Sequence, residues 1–210
     1  MFDAREKPET GRYYNNGWFG RHPEAYEFMS RFITPLRRRA ARSAGPAPRK
    51  IIDIATGTGS HAAQLARLGH DVVGVDLDRK MLDKAEKKRC RDLMLRFFYG
   101  DGTDLPFPDS SFDAATISFA IHDVPGRIAV RILREARRVT RAGGNILIVD
   151  YNDLYASFGA RFLYRFARLY ESPNYFPFVR RGIAPLLDSA GLTIKDKTSF
   201  LGAVQFLSVG

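Results

Sequence analysis

Lys50-Ile51-Ile52-Asp53-Ile54-Ala55-Thr56-Gly57-Thr58-Gly59 is the stretch on which the fold turns. Residues 50–55 form a short apolar run rich in isoleucine, the pattern of a strand buried on both faces. The run stops at Gly57 and Gly59, where a backbone without Cβ atoms can turn sharply and approach a ligand. Residues 61–68 then read as a helix closed by Gly69. A strand, a glycine turn and a helix open an α/β unit.

The alternation continues downstream. Residues 72–75 predict a second strand, followed by a helix that turns Met81, Leu82 and Ala85 inward. Residues 95–99 and 114–119 read as the third and fourth strands. Ile128, Ile132, Leu133, Ala136 and Val139 stripe the next helix, which leads through Gly143-Gly144 into a fifth strand at 145–149. This order predicts a doubly wound α/β fold with mostly parallel strands and helices on both faces. Residues 154–170 read as a long aromatic and basic helix, and Ile183, Leu186, Leu187 and Ala190 as another ending at Gly191. The runs 192–197 and 203–209 have the two-residue period of an antiparallel pair. Upstream, Ser43-Ala44-Gly45-Pro46-Ala47-Pro48 is a linker. Before it, Tyr26, Met29, Ile33, Leu36 and Ala40 recur at helical spacing, with Pro35 expected to kink or split the helix.

In such sheets ligands sit beyond the carboxyl ends of the strands. Asp53 lies at the first of these ends, Asp76 closes the second strand and Asp101 follows the third. Three carboxylates in these places are hard to explain by folding alone, because a charge at a sheet's edge needs a partner. Each residue also has a structural reading. The glycines serve any strand-to-helix turn, Asp76 or Asp78 can cap the next helix, Asp101 can make an Asx-turn, and Met81 can be plain core. Asp78 is expected to cap and Asp76 to bind.

These stretches resemble the class I S-adenosylmethionine-dependent methyltransferases, especially the ubiquinone and menaquinone C-methyltransferases. Asp53 to Gly59 is similar to their first motif, and Asp76-Leu77-Asp78 to the acidic second. Gly100-Asp101-Gly102-Thr103-Asp104-Leu105-Pro106-Phe107 resembles the third. Ser111-Phe112-Asp113 leads into strand four, and Arg134-Glu135-Ala136-Arg137-Arg138-Val139 with Gly143-Gly144 matches the segment before strand five. The resemblance implies a Rossmann-like seven-stranded sheet whose last strand is antiparallel. It implies one domain over 1–210: an N-terminal helical lid over 1–45, a cofactor core over 50–150, and substrate-side helices with the final strand pair over 151–210.

The resemblance also implies S-adenosyl-L-methionine as cofactor. Asp53, Ala55, Thr56, Gly57 and Gly59 would meet its methionine end, and Asp76 would accept from both ribose hydroxyls. Leu77 and Met81 would pack on the adenine, Asp101 would accept from its amino group with Gly102 leaving room, and Ser118 would line the methionine end. Tyr14, in Tyr13-Tyr14-Asn15, would close over the site as a lid. Gly57, Gly59 and Ala62 also satisfy a dinucleotide fingerprint. Against that reading, Asp53 would repel a pyrophosphate, and the Asp101 region would have no role.

On the acceptor side His122 stands beside the expected transfer point, where a neutral imidazole can take a proton. The alternative is that it only shapes the pocket or caps the next helix. His122-Asp123 replaces the arginine-asparagine pair usual in the quinone enzymes, which loosens the transfer of their exact substrate. The chain of 210 residues carries a net charge of +10. Its basic residues interleave with aromatics: Arg161, Arg165 and Arg168 share a helix with Tyr155, Phe158, Phe162, Phe166 and Leu169, and Arg37-Arg38-Arg39 follows Leu36. That suits an anionic membrane surface or a lipid-like small-molecule acceptor better than RNA. A cofactor-binding protein without catalysis is the non-enzymatic alternative. Oligomeric state is not readable. The charged N-terminus and the lack of a long apolar run suggest a cytoplasmic protein, peripheral to the membrane if associated with it. Cys90 is the lone cysteine, so no thiolate zinc cluster forms within the chain, and no metal is assigned.

Overall fold

The computed structural model describes residues 34–47, 49–153, 158–167 and 171–210. Its elements are α1 (Thr34–Arg42), β1 (Lys50–Ile54), α2 (Ser60–Arg67), β2 (Asp71–Asp76), α3 (Arg79–Glu86), β3 (Leu95–Tyr99), β4 (Phe112–Ser118), α4 (Gly126–Val139), β5 (Thr140–Tyr151), α5 (Phe158–Ala167), α6 (Tyr175–Arg181), α7 (Ala184–Ala190), β6 (Ile194–Phe200) and β7 (Val204–Val209). The strands make one seven-stranded sheet in the order β3-β2-β1-β4-β5-β7-β6. The first five strands run parallel, and β7 is antiparallel to both β5 and β6. The strand order reverses between β1 and β4, which makes their carboxyl ends the expected ligand crevice.

The isoleucines of β1 serve opposite faces, as the two-residue period of a strand demands. Ile52 and Ile54 join Val73, Val75, Ile117 and Ile148 in a core covered by α4, α6 and α7, whereas Ile51, Val72, Ala114 and Leu147 pack beneath α2. On α4 the expected stripe is buried, with Ile128, Ile132, Leu133, Ala136 and Val139 inside. Each of the large ones contributes about 1.5–3 kcal/mol. The wholly exposed β6 is an edge strand that carries Lys195, Asp196 and Lys197, charges that discourage pairing with another chain.

The aromatic helix appears as α5, within the residues 154–170 expected, and the rest of that span lies outside the described residues. One element differs from expectation. α6 was not expected, because Pro177 interrupts its pattern. The kink or split expected at Pro35 involves residues before Thr34, which, Tyr14 among them, lie outside the described residues.

The loop from β3 to β4 is clipped by one side chain of α4. Arg138 donates to Glu135 at 2.7 Å, Asp109 at 2.8 Å, and the carbonyls of Phe107 and Leu105 at 2.8 and 2.9 Å. Glu135 in turn accepts the Leu105 N–H at 2.7 Å. Arg138→Ala is expected to lower stability by about 2–3 kcal/mol, since charge-assisted bonds contribute about 1.5–3 kcal/mol each but share one partly exposed group. Chemical denaturation reads the loss, and protease cleavage within 104–111 should become faster.

Candidate active site

Asp53 and Thr116 are direct neighbours across β1 and β4, at the reversal of strand order. The buried Asp53 carboxylate accepts from the Thr116 hydroxyl at 2.6 Å and from the Thr56 hydroxyl at 2.6 Å. Its two oxygens therefore brace the turn after β1. Ala55 in that turn has φ 57°, a left-handed conformation that costs a residue with a Cβ about 1–2 kcal/mol. Phe119, just past β4, has φ 53°. Strain thus sits at the ends of two adjacent central strands, where the fold holds it in place.

The two glycines do different work. A Cβ on Gly57 (φ +56°) would meet nothing within 4 Å, so this glycine fronts open space. A Cβ on Gly59 would lie 2.6 Å from the Phe97 ring and 2.8 Å from Ala85 Cβ, so this one lets α2 settle on its neighbours.

Asp76 ends β2 with its carboxylate turned back to the same turn. It accepts from the Gly57 N–H at 2.7 Å and from the Asp78 N–H at 2.8 Å. Burial pushes its pKa up from 3.8 to about 6, and the two N–H bonds only partly oppose this. Asp78 caps α3 as expected, accepting from the N–H groups of Lys80 and Met81 at 2.7 and 3.3 Å. Met81 is buried and Leu77 half-buried beside it.

Asp101 stands two residues beyond β3 and accepts from the N–H and hydroxyl of Thr103 at 2.8 and 2.9 Å, an Asx-turn. The missing side chain of Gly102 faces Ile54 Cγ2, 3.0 Å from where its Cβ would lie. On the side where a Cβ would stand, Gly102 makes room for the core. The Ser118 hydroxyl, at the end of β4, is buried with no hydrogen-bond partner among the described residues.

His122 lies in a single 3-10 turn, Ile121–Asp123, packed under α6. Asp150, fully buried near the end of β5, is its anchor. One Asp150 oxygen accepts from His122 Nδ1 at 2.6 Å and from the Tyr151 N–H at 2.7 Å. The other accepts from the backbone N–H groups of Ile121 and His122 at 3.1 and 3.3 Å. At the far side of the ring, Nε2 faces Glu171 Oε2 at 3.3 Å and Asp123 Oδ1 at 3.6 Å. Burial alone would lower the His122 pKa, but Asp150, Asp123 and Glu171 together hold it well above the usual range. The three carboxylates thus favour the protonated form of the ring. Tyr151, Tyr175 and Phe178 wall the ring, with centroids 4.8, 6.0 and 6.3 Å away.

Sequence reasoning missed Asp150, Glu171 and this aromatic wall. Asp150 carried a usable signal, as one more carboxylate at the carboxyl end of a parallel strand. Glu171 had none, because only tertiary folding brings it to the ring. Buried His61, at the start of α2, was missed as well. Burial lowers its pKa, while Asp53 opposes this and Arg37 reinforces it.

A model of the methyltransferase domain matches residues 52–148, which contain every strand end just described except that of β5. A demethylmenaquinone methyltransferase from Beutenbergia cavernae is 34% identical over 177 residues, covering 79% of this chain and 72% of that protein. One from Mycobacterium marinum is 36% identical over 182 residues, covering 80% and 75%. The chain belongs to the S-adenosylmethionine-dependent methyltransferases. The fold of this methyltransferase is shared by a SAM-dependent methyltransferase from Aquifex aeolicus, with a TM-score of 0.64 at 15% identity, over 82% of this chain and 88% of that one. S-adenosylmethionine is the donor, and the methyltransferase has features that fit it. There is open space at Gly57, a buried carboxylate at the end of β2, and an unpartnered hydroxyl at the end of β4.

Proposed function

We propose that this methyltransferase acts on a small, apolar, hydroxylated aromatic acceptor of the quinol type. The observation that carries the reading is the aromatic wall around a carboxylate-bound histidine just beyond β4. The names of the relatives support the acceptor class.

On the donor side, bound S-adenosylmethionine supplies an electrophilic methyl group on a sulfonium. Asp76 accepts from the ribose hydroxyls, with Leu77 and Met81 against the adenine and Asp101 toward its amino group. Gly57, Thr56 and Ala55 form the backbone floor for the methionine end, and the free Ser118 hydroxyl meets it from β4. Asp53 works one step behind, through the two threonines it holds, and Gly59 through the packing of α2. Tyr14 keeps its proposed place as a lid.

On the acceptor side, Tyr151, Tyr175 and Phe178 hold an aromatic ring and exclude water. His122, Glu171 and Asp123 face the acceptor hydroxyl and position the acceptor for in-line attack. Most of the rate gain then comes from alignment. Phe158 and Phe162 on α5 are 76% and 59% exposed and alternate with exposed Arg161 and Arg165. No helix among the described residues is long and apolar enough to cross a membrane. This face suits the surface of an anionic bilayer on the cytoplasmic side, from which a lipid-like acceptor would be drawn.

Turnover of labelled donor against a panel of quinols, amino phospholipids and RNA tests the reading. Methylation of the quinols alone is expected. Exclusive methylation of the amino lipid or of RNA replaces the acceptor class, and donor binding without turnover on any acceptor leaves a binding protein.

A further inference from the structure

We propose that His122, Asp123 and Glu171 form a binding site for a first-row divalent cation, held next to the point of methyl transfer. The coordinating atoms offered by these three side chains lie within 4.8 Å of one another. Imidazole nitrogen with two carboxylates is a donor set that suits manganese, iron or zinc.

The geometry around the ring is that of ligands about a shared centre. At Nδ1 the partner is 2.6 Å away, whereas at Nε2 the two carboxylates stand off at 3.3 and 3.6 Å. Both exceed the usual N–H···O range of about 2.7–3.2 Å. With metal–ligand bonds of about 2.1 Å, those separations subtend angles of about 105° and 120° at a common ion, close to the tetrahedral angle. The two carboxylates need to approach within about 4.2 Å of each other. Asp123 can swing in, because its side chain is 44% exposed.

Asp150 is the second, independent part of the argument. Metal-bound histidines nearly always give their other ring N–H to a carboxylate, which sets the tautomer and aims the free nitrogen. Asp150 does this at Nδ1 and also holds the backbone N–H of His122, so ring and main chain are oriented together. Tyr151 fixes Glu171 in the same way, through a hydrogen bond from its hydroxyl. Charge points the same way. Three carboxylates around one imidazole leave a net negative cluster in a largely buried site, and such charge requires a partner. A cation on Nε2 takes the place that the ring proton otherwise fills.

The cation gives the acceptor a handle, in a role that rests on the quinol reading above. The acceptor's O–H bond breaks, its proton leaves to solvent water, and the oxygen's electron pair bonds to the ion. A hydroxylated aromatic is thereby held as its oxyanion before any methyl moves.

The test is a titration of chelator-stripped full-length protein with Mn2+ alone, followed by calorimetry and by the electron paramagnetic resonance of bound ion, with Zn2+ as a second probe. One saturable site per chain is expected. Its affinity should fall by at least 10-fold in Glu171→Gln and in Asp123→Asn, by about 10–100-fold in the positioning variant Asp150→Asn, and not at all in the surface control Asp188→Asn. Absence of a stoichiometric site, or affinity unchanged in both Glu171→Gln and Asp123→Asn, overturns the proposal. Because neither donor nor acceptor is present, the result stands whether or not the acceptor is a quinol.

Discussion

Asp150→Asn is expected to lower kcat by about 100-fold or more while leaving the affinity for S-adenosylhomocysteine within about two-fold. The carboxylate at 150 accepts four hydrogen bonds, from the His122 ring, the Tyr151 N–H, and the N–H groups of Ile121 and His122. An amide offers one oxygen for these donors and turns an N–H₂ toward the rest. The ring then loses its anchor, and a misplacement of about 1 Å at a reacting centre costs about 100-fold. Among the described residues the hydrogen bonds of Asp150 go to residues 121, 122 and 151 and not to the donor half, so steady-state kinetics and product calorimetry on the same sample separate the two effects. Breaking a buried charged pair also destabilises by about 3–5 kcal/mol, so assays belong well below the new melting temperature. A variant with unchanged kcat would remove the His122 side of the site from the mechanism.

Asp76→Asn carries the second large effect, and here function and stability separate. Two charge-assisted bonds to a ribose contribute about 1.5–3 kcal/mol each. An amide keeps one acceptor of reduced strength, so donor affinity should fall about 100-fold. In the free protein the carboxylate is a burden. Its folded pKa of about 6 lies above the ordinary 3.8, so the folded state binds the proton more tightly than the unfolded state does. Stability contributed at this position is therefore greatest below pH 4 and is lost as pH rises through 6, by about 3 kcal/mol in all. Relative to Asp76→Asn, the wild type should lose about 6–10 °C of melting temperature between pH 4 and pH 7. Donor binding runs the opposite way, because ribose hydroxyls need the carboxylate. Wild-type affinity should weaken about tenfold per pH unit below 6, and the variant should lack this slope. Calorimetry across pH, paired with thermal melts, checks both signs.

The donor half of the site is legible in the sequence because it is local. Residues 53–59 and 76–78 carry strand, turn and helix start in one short stretch each, and the chemistry of those turns follows from the residues that build them. The capping role of Asp78 and the inward role of Asp76 separate on sequence alone, since one residue precedes a helix and the other ends a strand. The division of labour between Gly57 and Gly59 does not, because it depends on Phe97 and Ala85 from other elements. Likewise the close packing of Gly102 over Ile54 depends on another strand and is not written in the local sequence. The acceptor half is hidden for a stronger reason. His122 meets Asp150 and Glu171 across 28 and 49 positions of chain, and no periodicity links them. Its raised pKa follows from those partners, so the sequence reveals the ring but not its electrostatic setting.

The grip of Asp150 on both ring and backbone at 121–122 ties the histidine to the sheet, while Glu171, Tyr175 and Phe178 of the covering segment meet its other side. The sheet is thus a chassis that keeps the ring aimed, and the cover is a body that can be recast around those three contacts. An engineer seeking altered selectivity should vary the remaining residues of 158–187 before altering anything at the strand ends.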